Sequence, residues 1–89
     1  ALSTFTQALG RASTADNVRV LAIHPGPVDT ERLKSLATQS ADAVNYKAMP
    51  FGRAAAPEEI ASAVAFLASP RSAYTSGTII SIDGGISAV

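Results

Sequence analysis

What most constrains this chain is an apolar run, Val18 to Ile23, that stops in the loop His24-Pro25-Gly26-Pro27-Val28-Asp29-Thr30. In an extended segment Val18, Val20 and Ala22 share one face, and Leu21 and Ile23 share the other. Only Arg19 interrupts the apolar character. A strand that is apolar on both faces belongs to a parallel sheet covered by helices on each side. The reading predicts a strand over Val18 to His24, ended by Pro25, which offers no ladder donor. A second run, Thr78 to Ile82, leads into Asp83-Gly84-Gly85. A long connection with helical pattern separates the runs, so a right-handed crossover should make them parallel neighbours at one edge of a larger sheet.

Helical spacing fills the remainder. Leu2, Phe5 and Leu9 make one stripe over residues 1 to about 13, with Ala8 and Ala12 beside it. Nothing precedes that helix as a side-chain cap, as if the chain were cut there. Asp16-Asn17 mark a turn. Thr30 suits the cap of a helix through Leu33 and Leu36, with Glu31 in its first turn. Residues 38 to 50 have weaker periodicity and read as a polar, lid-like loop with some helix. Pro57 to Ala68 is the clearest helix: Pro57 at the first position, Glu58 and Glu59 complementing the dipole, and Ile60, Val64 and Leu67 as the buried stripe. Ala56 is a poor residue for its cap. Ser69-Pro70 stops it. The order is that of an α/β fold.

The apolar fraction overstates the core. Eighteen residues are alanine, and Val, Ile, Leu and Phe together number 21, so the core this chain builds by itself is thin. There is no cysteine and one histidine, which excludes a disulfide framework and a Cys/His metal site. Seven acidic and seven basic side chains are spread singly, without the basic face of a nucleic-acid binder. No apolar run is long enough for a membrane span, and no leader pattern opens the chain. The expected compartment is the cytoplasm.

Three signatures, in order, resemble the C-terminal part of a classical short-chain dehydrogenase/reductase. Pro25-Gly26 with Thr30 resembles the family's loop after its sixth strand. Pro57-Glu58-Glu59-Ile60-Ala61, with Val64, Phe66-Leu67 and Ser69, resembles its penultimate helix. Tyr74, Ser76-Gly77 and Asp83-Gly84-Gly85 resemble its closing strand and exit. The resemblance implies that residues 1–89 are an incomplete C-terminal portion of one NAD(P)-binding domain, a doubly wound Rossmann-type parallel sheet. The parent would bind NAD or NADP and move hydride between nicotinamide and a small carbonyl or alcohol substrate, as a homo-oligomer. Pro25, Gly26, Val28 and Thr30 are the implied cofactor-binding residues. The Val28 backbone and the Thr30 hydroxyl would reach the nicotinamide carboxamide, and Gly26 would let the backbone approach the ring. Residues 31 to 50 would line part of the substrate pocket.

No catalytic residue of the family falls in this chain. Its Tyr-x-x-x-Lys is absent: four residues after Tyr46 is Pro50, and four after Tyr74 is Thr78. The glycine-rich phosphate loop and the catalytic serine are absent too, so these residues by themselves are expected to be inactive. His24 has no local partner to orient it as a base and reads as structural. Leu21 stands where many members have asparagine. Asp83-Gly84-Gly85 lacks the following helix of a phosphate cradle and reads as a tight turn. Glu58 and Glu59 point about 100° apart on a helix and cannot clasp one substrate. The competing reading is a non-catalytic Rossmann-like interaction or oligomerisation module.

Overall fold

The computed structural model describes residues 1–40 and 42–88. Its elements run α1 (Leu2–Ser13), β1 (Leu21–Pro25), α2 (Glu31–Gln39), α3 (Pro57–Ala68) and β2 (Thr78–Ile82). Single 3-10 turns occupy Thr14–Asp16, Tyr46–Ala48 and Pro70–Ser72. The predicted parallel pairing is present: Leu21 lies opposite Thr78, Ile23 opposite Ile80 and Pro25 opposite Ile82.

The first strand starts later and ends later than its apolar pattern suggests. The Val18 N–H is bound by the Ser13 carbonyl at 3.1 Å, and the Val20 N–H by the Ser76 hydroxyl at 3.1 Å. Residues 18–20 are thus held by the end of α1, by the Ser76 hydroxyl and, at the Val20 carbonyl, by the Gly77 N–H at 2.7 Å just before the ladder begins. Pro25 is the last strand residue and does not end the ladder. Opposite Ile82 the donor required is the N–H of the next residue, and Gly26 supplies it to the Ile82 carbonyl at 3.0 Å. The missing proline donor is not called upon there.

α1 presents a different face from the one its apolar stripe implies. Leu2, Phe5 and Leu9 are 58, 61 and 42% exposed, while Thr6 and Gly10 are buried. The cause is close backbone approach. A Cβ on Gly10 would sit 2.4 Å from the Gly77 Cα, so only glycine lets α1 lie this near the start of β2. Gly77 itself has φ +74°. Ser76 also ties the two, with its hydroxyl 3.5 Å from the Gly10 carbonyl.

α3 begins at Pro57 as its sequence indicates, and Ala56 provides no side-chain cap. Glu59 compensates by reaching back to accept from the Ala56 N–H at 2.9 Å, the reciprocal half of a capping box. At the other end Arg19 donates to the carbonyls of Leu67 (2.7 Å), Ser69 (3.2 Å) and Thr75 (3.3 Å). The one residue that breaks the strand's apolar pattern therefore places its cation where the helix carbonyls are left over. The expected buried stripe of α3 is only half covered. Ile60 and Leu67 are partly buried and Val64 is exposed, because β1 is covered by a helix on the α1 side while open recesses separate it from α3.

The best-buried apolar residues, Val44, Met49 and Ala54, lie outside the sheet and pack against Leu33 and Ala37. The segment read as lacking an apolar stripe after Leu36 thus closes over a small core of its own. The radius of gyration, 15.9 Å, exceeds the roughly 12 Å of a compact chain of this length. The accessible surface, 6456 Å², exceeds the roughly 4,900 Å² of a compact protein of this mass.

Candidate functional site

The loop after β1 is held at its start by β2 and further on by the strip of chain that precedes α3. Asp29 N–H donates to the Ala55 carbonyl at 2.7 Å, and Ala55 N–H donates to the Pro27 carbonyl at 2.9 Å, which makes a one-residue parallel bridge between Val28 and Ala55. In such a bridge the flanking residues supply the bonds, so Val28's own N–H and C=O point away from Ala55. The Val28 carbonyl accepts from Thr30 N–H at 2.8 Å. Thr30 caps α2 as its sequence predicts: its hydroxyl oxygen accepts from Leu33 N–H at 3.3 Å. Accepting leaves the hydroxyl proton available to donate outward.

Of the four loop residues singled out in the sequence, the structure brings three together. Pro25, Val28 and Thr30 line one shallow, largely apolar recess whose far wall is Pro57, Ile60 and Val64 of α3. Gly26 is not part of that wall. A Cβ there would lie 2.8 Å from the Asp83 Cα and 2.9 Å from the Asp83 Cβ. The glycine is needed so that the loop can pass the end of β2.

Asp83 is engaged inside its own turn. It accepts from the Ser87 hydroxyl, from Gly85 N–H at 3.0 Å and from Ser87 N–H at 3.2 Å. The Ser87 hydroxyl is the main cause that holds its carboxyl below the usual range, opposed by partial desolvation and aided by the two amides and by His24. Gly84 and Gly85 have φ of +65° and +90°, so Asp83-Gly84-Gly85 is the tight turn its sequence indicates. His24 is exposed at the strand end, opposite Ser81.

A second cavity of about 310 Å³ lies behind the loop, among Pro27, Met49, Phe51, Arg53, Ile82 and Asp83. Its polar element is an ion pair that sequence reading passed over. Arg53 grips Glu59 with two nitrogens, at 2.7 and 3.2 Å, and also donates to the Ala54 carbonyl at 3.1 Å. The Arg53 guanidinium, aided by the Ala56 amide, lowers the Glu59 carboxyl to about 2. The sequence signal was an arginine six residues before the glutamate of an uncapped helix start. Glu59 is therefore more than a dipole partner. Among the described residues no cluster of His, Cys, Asp and Glu is placed to hold a metal ion.

A family model described as enoyl-(acyl carrier protein) reductase matches residues 1–87. The 3-oxoacyl-(acyl-carrier-protein) reductase FabG of Chlamydia trachomatis is 43% identical over 82 residues, 92% of this chain and 33% of that protein. The cis-4-hydroxycyclohexanecarboxylate dehydrogenase of Sinomonas cyclohexanicum is 36% identical over 88 residues, 99% of this chain and 35% of that protein. Among solved structures, a short chain dehydrogenase family protein of Francisella tularensis superposes with TM-score 0.84 at 33% identity, covering 99% of this chain and 40% of that one. Another short chain dehydrogenase/reductase family protein gives 0.80 at 40% identity, covering 99% and 35%. The chain thus spans about a third of the length of the curated relatives it matches. With the family model matched over residues 1–87 and these superpositions over nearly its whole length, the chain belongs to the short-chain dehydrogenase/reductase family.

Proposed function

We propose that this chain is the C-terminal portion of an NAD(P)-dependent oxidoreductase, and that its loop Pro25–Thr30 forms the nicotinamide side of the cofactor site. The observation that carries the reading is the convergence of Pro25, Val28 and Thr30 on one recess, with the Val28 amide turned away from its bridge partner. A carboxamide offers an acceptor oxygen and a donor NH2: the Val28 N–H can donate to the oxygen, and the second lone pair of the Thr30 hydroxyl can accept from the NH2. Val28 and Thr30 would hold and orient the carboxamide, Pro25 would give the ring an apolar wall, and Gly26 would fix the loop against Asp83. The bound cofactor supplies or accepts the hydride. The substrate is a small carbonyl or alcohol compound, bordered by α2 and residues 40–50, and the acid/base group comes from outside these residues. The exposed stripe Leu2, Phe5 and Leu9 supports a parent whose remaining sheet or second copy covers this surface, and we read that parent as a homo-oligomer of the cytoplasm.

In the full-length parent, Thr30→Val should weaken cofactor binding by roughly 0.5–1.5 kcal/mol, the net worth of one hydrogen bond, and Thr30→Ser should restore it. Cofactor titration by fluorescence checks this. Equal affinity in all three proteins would remove Thr30 from the site.

A further inference from the structure

We propose that Arg53 and Glu59 are positioning residues for the cofactor site, setting the direction of the Val28 amide through the backbone of residues 54–56. The inference rests on the loop being the nicotinamide side of that site. Val28 itself lies beyond the end of β1, and what locates it is the bridge to Ala55. The strip that carries Ala55 belongs to no helix or strand. It is gripped on both sides of that residue: Arg53 holds the Ala54 carbonyl at 3.1 Å, and Glu59 holds the Ala56 N–H at 2.9 Å. The two-pronged contact between the side chains, at 2.7 and 3.2 Å, joins the grips into one clasp. Ala54 is 8% exposed and seated against Val44 and Met49, so the strip is anchored from below and clasped from above. An exposed ion pair stabilises a fold little. A two-pronged guanidinium–carboxylate contact does fix geometry, because its bonds are directional and coplanar. Displacing Ala55 by a few tenths of an ångström moves the Pro27 carbonyl and the Asp29 amide with it, and Val28 lies between them.

The test compares two ligands on the full-length parent. NAD(P)H carries the nicotinamide; ADP-ribose, with a 2′-phosphate if the parent uses NADP, lacks it. Arg53→Ala should weaken NAD(P)H binding about three- to tenfold, the range of one misdirected hydrogen bond, while leaving ADP-ribose binding unchanged. Glu59→Gln keeps an acceptor for the Ala56 amide but removes the charge that holds Arg53. It should shift the same ratio in the same direction by less, and it reads the effect if Arg53→Ala does not fold. Equal loss for both ligands, or no loss for either, overturns the proposal: the pair is then only structural. Thr30→Val separates this from failure of the underlying reading. If Thr30→Val changes the ligand ratio and Arg53→Ala does not, the clasp has no positioning role. If neither changes it, the loop does not hold the nicotinamide.

Discussion

Gly10 has two opposed effects. In a helix interior alanine is favoured over glycine by about 1 kcal/mol. Against this, a Cβ at position 10 meets backbone atoms of Gly77 at 2.4 and 2.6 Å, and backbone cannot rotate aside. Overpacking of that kind costs typically about 1–3 kcal/mol and outweighs the propensity gain. Gly10→Ala should therefore lower the denaturant midpoint of the full-length parent, and a raised midpoint would refute the close approach of α1 and β2. Glu59 gives a pH-dependent counterpart. Its folded value, about 2, lies below the ordinary 4.5 because of Arg53 and the Ala56 amide. Its contribution to stability is present above about pH 4.5 and lost as pH falls towards 2. Unfolding followed from pH 5 to 2.5 should show a shallower loss of stability in Glu59→Gln than in the wild type. Identical slopes would mean that the Glu59 contacts add nothing to stability. Neither effect is visible to a residue-by-residue reading: glycine in a helix scores only as a cost, and two adjacent glutamates score only as helix starters.

Among the elements, α3 shows how a sequence can be read correctly and incompletely. Pro57 and the acidic first turn mark its start, and Ser69-Pro70 its end, because those signals act within a few bonds of the backbone they control. The residue that finishes its last turn, Arg19, stands 48 positions before Leu67, so no window along the chain contains both. Arg19→Leu preserves the apolar pattern of the first strand and should still destabilise the full-length parent. The loss expected is about 1.5–3 kcal/mol, the cost of removing a hydrogen-bonded charge from its acceptors. Chemical denaturation checks this, and a change below about 0.5 kcal/mol would mean the three carbonyls are equally well served by water. In α1 the apolar stripe identifies a helix correctly but not the neighbour it faces. Small residues, Thr6 and Gly10, decide the face that meets the sheet, and Leu2, Phe5 and Leu9 are left exposed.

For the whole molecule, elongation and surface carry one expectation. With a radius of gyration of 15.9 Å and its best core residues outside the sheet, the described chain leaves both strands half covered. Expressed by itself, the 89-residue chain should neither reduce carbonyls nor bind nicotinamide cofactor, and it should self-associate through exposed strand edges and the α1 stripe. Sedimentation with cofactor titration checks this. A monomer with a sharp unfolding transition and cofactor-dependent turnover would overturn it.

The sequence by itself determined the α/β class, the parallel pair, the helix starts at Thr30 and Pro57 and the turn at Asp83-Gly84-Gly85. The helix starts and the turn follow from local chemistry, a cap within three residues or a positive φ that glycine accepts, and the parallel pair follows from strands apolar on both faces joined by a long helical connection. It also singled out the loop Pro25–Thr30 as a candidate site, through its resemblance to the short-chain dehydrogenase order of motifs. Only the tertiary structure decided that Gly26 passes close to Asp83, that Leu33, Ala37, Val44, Met49 and Ala54 meet in a small core, and that Arg53 and Glu59 clasp the strip beside Val28. Those contacts depend on which segments meet in space, and meeting is set by packing of whole elements, which no short stretch of sequence encodes.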